Sequence, residues 1–182
     1  MLWLVLGLAL WVGAHIFKRI APDLRARMGD AGKGLVAVLV LASVVLMVIG
    51  YRAADVTPLW YFGGWAISAN NLLMVFAVAL FGIGHSKSRI RAKLRHPMLY
   101  GLLIWGVAHM LVNGDLSSLV LFGGLGLWAI ATIFLINRDE PVPEPYVDGT
   151  VRGDIRLAVI TVVIFALTTT AHTWLGRWPF TG

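Results

Sequence analysis

Cysteine is absent from all 182 residues, and charge is scarce. Without cysteine there is no disulfide, no thiolate iron–sulfur or zinc centre, and no cysteine nucleophile. Metal chemistry would fall to histidine, carboxylate, methionine, tyrosine or a ligand from outside. Only 13% of residues are charged against 59% hydrophobic, too few to solvate a soluble domain of this size. Mean hydropathy is +0.82, and several apolar runs approach or reach the roughly 20 residues that cross a bilayer. The chain therefore reads as an all-α integral membrane protein, one domain over residues 1–182 with no separate soluble part. Its net charge of +6 is explained by basic cytoplasmic loops, and no nucleic acid partner is expected. The first residues, MLWLVLGLALWVGAHIF, have neither a basic leader nor a small-residue cleavage site, so a retained first helix is expected there.

Hydropathy places six spans, at about 2–20, 34–51, 67–84, 97–113, 116–136 and 156–175. Pro97 suits the first turn of the fourth, where its missing N–H needs no partner. The Asn113-Gly114-Asp115 turn makes spans four and five an antiparallel hairpin. Lys18, Arg19, Arg25, Arg27 and Lys33 fill the first loop. Lys87, Arg89, Arg91, Lys93 and Arg95 fill the third, and Arg138, Arg152 and Arg156 follow span five. Only Arg52 and Arg177 lie in the alternate connections, so the positive-inside rule puts both termini outside the cytoplasm. RDEPVPEPYVDGT (138–150) reads as a cytoplasmic loop because its prolines forbid a continuous helix. Trp60, Tyr61 and Trp65 read as interfacial anchors.

No Asp, Glu, Lys or Arg falls well inside a span, but His15, His109 and His172 lie within or near span ends, and His96 opens span four. Ionisable groups in membrane helices are expensive and mark functional candidates. Neutral imidazole is the cheapest to bury and a common ligand of haem iron, copper and zinc. The bland alternative is a hydrogen bond to a carbonyl on a neighbouring helix, worth about 1 kcal/mol. WVGAH (11–15) and WGVAH (105–109) each put a Trp one turn before a His on the same helix face. Spans one and four run in opposite directions, which suits two inverted three-helix halves with a site where they meet. His109 lies about 9 Å along its helix from the outer turn, and His15 about 4–5 Å from the inner boundary. By depth alone His109 pairs more simply with His172, and His15 with His96. Gly101, Trp105, His109 and Asn113 form a stripe in which Gly101 admits either a flat group or another helix. Gly123, Gly124 and Gly126 invite the same two readings.

These residues carry a resemblance. Ala14-His15 near the end of span one is followed by RHPML-x-G-x-x-x-W-x-x-AH-x-x-x-NGD-x-x-S-x-x-LFG from Arg95 to Gly123, and His172 comes shortly before LGRWP. The combination resembles the NnrU family of bacterial membrane proteins over nearly the whole chain. The family is named for an association with nitric oxide and nitrite reduction. It is similar to 15-cis-zeta-carotene isomerase, a membrane haem b protein whose iron is held by two histidines and changes ligation with redox state. Carried over by motif, the ligands fall on His15 and His109, with His172 and His96 in reserve. The resemblance implies non-covalent haem b and a multi-pass protein of the bacterial inner membrane. Trp11 and Trp105 would pack against the ring. Arg95 and His96 would meet a propionate, an anionic head group or a substrate. RHP at a helix start is also similar to isoprenylcysteine methyltransferase-type enzymes, where RHP-x-Y-x-G helps bind S-adenosylmethionine. Here Tyr100 is displaced by one and the downstream glutamate pair is replaced by the Asp139–Tyr146 loop, which argues against methyl transfer.

Four functions follow. The first is a haem b protein of nitrogen-oxide-linked redox physiology, acting as sensor or accessory factor. The second is a haem-dependent cis–trans isomerase of a bilayer-dissolved polyene. The third is a cofactor-free membrane partner of another complex, and the fourth a methyltransferase-like enzyme. Asn113 and Asp115 are expected to set the turn. His85, among cationic neighbours, has no assigned role.

Overall fold

The computed structural model describes residues 1–180, and among them the chain is helical with no strand. We number the helices α1 (Leu2–Ile20), α2 (Pro22–Arg27), α3 (Gly29–Arg52), α4 (Trp65–Ile83), α5 (Pro97–Val112), α6 (Leu116–Asp139) and α7 (Val151–Trp174). A 3₁₀ turn, Arg89–Lys93, precedes α5. Five of these helices are long and apolar enough to cross a membrane. The sixth apolar helix, α5, has 16 residues and so a length of about 24 Å. The protein is thus an all-α, multi-pass membrane protein. Its helices outrun the apolar stretches at several polar ends: α3 begins at Gly29 rather than 34, and α7 at Val151 rather than 156. Hydropathy sees only the buried part of a helix, whereas hydrogen bonding carries it on until a cap stops it. At α7 that cap is Thr150, whose side chain accepts from Gly153 N–H.

The chain divides into two compact units, Met1–Leu59 with Asp115–Gly124, and Trp60–Gly114 with Leu125–Gly182. In the first unit, α1 and α3 pack side by side. Their backbones touch where a Cβ on Gly50 would fall 2.1 Å from Leu4 N, so no larger residue fits without moving a helix. Without a hydrophobic drive between helices in lipid, such close small-residue packing is a principal source of association. Ser43, fully buried on α3, donates to Val40 O at 2.6 Å and leaves no stray polar atom. Gly29 opens α3 at φ +50, a left-handed turn that glycine adopts without strain.

In the second unit, α4 packs on α5 and on α7. A Cβ on Gly101 would meet Ala77 O, Phe81 and Leu80 at 3.2–3.3 Å. Of its two sequence readings, helix packing is the one realised. Trp60 lies over the turn after α5: its Nε1–H donates to Met110 O at 2.9 Å, and a Cβ on Gly114 would collide with Trp60 O. Trp60 is therefore held by the protein, while Tyr61 and Trp65 are exposed and remain suited to the membrane interface. The base of α7 is tied to the loop before the 3₁₀ turn. Thr150 N–H donates to Lys87 O, and Asp154 accepts from Ser88 Oγ–H at 2.7 Å and Arg89 Nε–H at 2.6 Å.

The Gly50 contact gives a direct test. Gly50→Leu must push α1 off α3, and overpacking of this kind costs about 1–3 kcal/mol. The detergent-purified variant should melt below the parent in a thermal unfolding series. An unchanged melting temperature would mean that these backbones do not meet.

Candidate functional site

The three intramembrane histidines share one local geometry. His15 Nδ1–H donates to Trp11 O at 2.8 Å, His109 Nδ1–H to Trp105 O at 2.9 Å, and His172 Nδ1–H to Thr168 O at 2.8 Å. A carbonyl can only accept, so in each neutral ring Nδ1 carries the proton and Nε2 the lone pair. This is the tautomer and hydrogen bond that orient a metal-binding imidazole. Helix geometry produces it locally, because a side chain leans toward the turn preceding its own Cα. The Trp one turn earlier adds a ring contact, with centroids 4.2 Å apart for Trp11–His15 and 5.0 Å for Trp105–His109. The WxxAH repeat thus yields the same local arrangement twice, once in each unit.

His109 is half-buried near the end of α5. Its own carbonyl accepts from both Asn113 N–H and Asn113 Nδ2–H, at 2.9 Å each. Asn113 therefore caps the helix that carries His109. His172 lies on the last turn of α7. Among the described residues no three or more His, Asp or Glu side chains gather as metal ligands. Two imidazoles suit a metal whose other ligands come from a macrocycle.

Arg95 and His96 form a clamp within the second unit. Arg95 Nη2 donates to Glu140 O at 2.9 Å and Pro141 O at 3.1 Å, so the guanidinium caps the end of α6. His96, 8% exposed, donates from Nε2 to Asn137 Oδ1 at 2.8 Å. Pro97 follows at the first position of α5. The RHP segment thus joins the start of α5 to the end of α6 through the protein's own polar groups.

Asp115 begins α6. Its Oδ1 accepts from Ser118 N–H at 2.9 Å and from Ser117 Oγ–H; its Oδ2 accepts from Ser118 Oγ–H at 2.8 Å. Tyr51 O–H completes the chain to Ser118 Oγ at 2.9 Å. Burial opposes ionisation of Asp115, but these hydrogen bonds outweigh it and hold the carboxyl below its ordinary value. The turn role expected from Asn-Gly-Asp was only part of its work. Immediately beyond lies a π-helical turn, Leu119–Gly123, a feature that recurs at functional sites. It falls on the LFG of the sequence motif, with Phe122 buried.

Several polar residues escaped the sequence reading because their partners lie far away in the chain or no charge flagged them. Tyr51 and Asp154 sit at helix ends. Asn70 and Asn71 lie within α4, where Asn71 Nδ2–H donates to Pro179 O at 2.9 Å and draws the C-terminal segment onto that helix. The Asn-Asn pair inside an apolar run was the available signal.

A family model described as NnrU protein matches residues 3–179, nearly the whole chain. No curated protein and no solved structure matches it.

The Asp115 network predicts an acid sensitivity. A carboxyl whose folded pKa is lowered contributes stability that is complete above its ordinary pKa and is lost as pH falls through the folded value. Asp115→Ala should cost about 1 kcal/mol at neutral pH and should flatten the fall in melting temperature between neutral pH and the carboxylate range. Parallel curves for parent and variant would show that the cap carries no such linkage.

Proposed function

This chain belongs to the NnrU family, and from that premise we propose that it binds one haem b non-covalently through His15 and His109 and serves nitrogen-oxide-linked redox physiology. The observation that carries the reading is the paired geometry: in each unit an imidazole held through Nδ1 by the carbonyl four residues back, with that residue's indole against it. The donor set fits the group. Neutral imidazoles with oriented rings are what haem iron takes from histidine, and the chain has no cysteine to compete. Trp11 and Trp105 would supply flat apolar surface for a porphyrin. When bound, haem b would supply a redox-active iron held by these two imidazoles. The chain's own residues hold the two rings in one tautomer, His109 half-buried and His15 exposed, and lock the end of α5 through Asn113. Arg95 and His96 would act indirectly, by keeping α5 and α6 in register. In this reading His172 would not hold the iron.

The protein is oriented, in this proposal, with both termini periplasmic, supported by the alternation of basic loops. The absence of native cysteine makes the test clean. In intact cells Tyr61→Cys should react with a membrane-impermeant maleimide, and Glu144→Cys only after permeabilisation. The reverse pattern would invert the topology.

The cofactor is tested by the visible spectrum of detergent-purified protein, oxidised and dithionite-reduced, with a pyridine haemochrome assay. A Soret band with sharp reduced bands should be present in the parent and in His172→Ala. It should be lost in His15→Ala and His109→Ala. If His172→Ala loses it and His15→Ala keeps it, the pair is His109 with His172. Colourless protein from haem-replete cells would overturn the haem reading altogether.

A further inference from the structure

Within the second unit, a groove of about 270 Å³ lies between α4 and α7. It is lined by Val78 and Phe81 of α4 and by Leu157, Ile160, Thr161 and Ile164 of α7. Gly82 also borders it, close enough that a Cβ there would stand 2.9 Å from Leu157 Cδ1. All of this lining is apolar except Thr161, which is 5% exposed. Its Oγ1 is buried and has no hydrogen-bond partner among the described residues. Four other threonines of these helices behave differently. Thr132, Thr169, Thr170 and Thr173 each return the hydroxyl to a carbonyl four residues back. A buried hydroxyl without its local bond costs free energy until something satisfies it.

The groove ends near a cationic rim. Arg156 stands one helical turn before Ile160, and Arg152 one turn further; both are exposed. Lys87, also exposed, lies in the loop whose carbonyl ties down Thr150. Asp154, on the same turn of α7, is already engaged by Ser88 and Arg89, so the rim presents positive charge. Thr161 lies five positions after Arg156, about 7.5 Å along the helix. The polar layer between hydrocarbon and water is roughly 5–7.5 Å thick on each side of a bilayer. A phosphate held at Arg156 therefore puts the ester oxygens of its lipid at the depth of Thr161.

We propose that this groove binds one anionic phospholipid. Its phosphate meets Arg156 and Arg152, an ester carbonyl accepts from Thr161 Oγ–H after rotation of the side chain, and one acyl chain lies along Phe81, Ile160 and Ile164. The lipid satisfies the orphan hydroxyl and covers the apolar strip between two helices at once.

The test is native mass spectrometry of the detergent-purified full chain, titrated with phosphatidylglycerol or with phosphatidylcholine of the same acyl chains. The parent should retain one phosphatidylglycerol more strongly than phosphatidylcholine. Arg156→Gln should weaken phosphatidylglycerol about five-fold, the effect of one interfacial cation, and weaken phosphatidylcholine, whose choline already compensates its phosphate, by less. Thr161→Val, nearly isosteric and without the hydroxyl, should weaken both lipids, and Ile160→Trp should fill the groove and weaken both further. Lys33→Gln removes equal charge from the other unit and should change neither. Equal retention of the two lipids by the parent would overturn the proposal. So would a Lys33→Gln loss as large as that of Arg156→Gln, or a Thr161→Val protein that binds both lipids like the parent.

Discussion

Hydrocarbon offers no hydrogen bonds, so every polar atom carried into the membrane must find its partner within the chain. Most of the specific geometry here answers that demand. The Nδ1–H groups of His15, His109 and His172 close onto carbonyls one turn back, and so do the hydroxyls of Thr169, Thr170 and Thr173 on α7. Trp60 turns its indole N–H to Met110 O. Helix ends follow the same logic. Asn113 caps α5, Asp115 starts α6, Arg95 finishes it, and Thr150 starts α7. Among the described residues the buried Oγ1 of Thr161 has no such partner, and an unsatisfied hydroxyl in such surroundings is where an outside molecule has most to offer.

The histidine ties also link local structure to chemistry. A free imidazole rotates and exchanges tautomers; one bound through Nδ1 presents a single nitrogen lone pair in a single direction. The tie needs only the helix itself, so it forms in each unit without help from distant residues. The tryptophan one turn earlier restricts the ring further. A ligand position built this way depends on the helix remaining intact through the histidine, which is why the doubled Asn113 bonds to His109 O bear on the site although Asn113 is not a ligand.

The RHP segment shows how context reassigns a motif. As sequence, an arginine and a histidine at a helix mouth point to an anion. In the fold, the guanidinium is directed to the carbonyls ending α6 and the imidazole to Asn137. A helix C-terminus carries partial negative charge, so it attracts the same cation that a carboxylate would. The π turn at Leu119–Gly123 follows the rigid Asp115 cap and widens the helix where the motif ends.

What the sequence by itself determined was whatever depends on composition and on residues within one turn of each other. Its apolar runs marked the membrane helices to within a few residues at most ends, because twenty apolar residues have one favourable environment. The WxxAH spacing put Trp and His on one face, because 3.6 residues per turn leaves no alternative. The NGD turn was legible for the same local reason. Only the tertiary structure decided the contacts between residues far apart in the chain. It brought Arg95 and His96 to the end of α6, Tyr51 to Ser118, Asp154 to Ser88, and Asn71 to Pro179. It also chose helix packing at Gly101. Each of those partners is a carbonyl, hydroxyl, amide, carboxylate or small residue of a kind the chain offers at many positions, so chemistry alone cannot select one. Selection comes from which helices lie side by side, and that is a property of the packed chain.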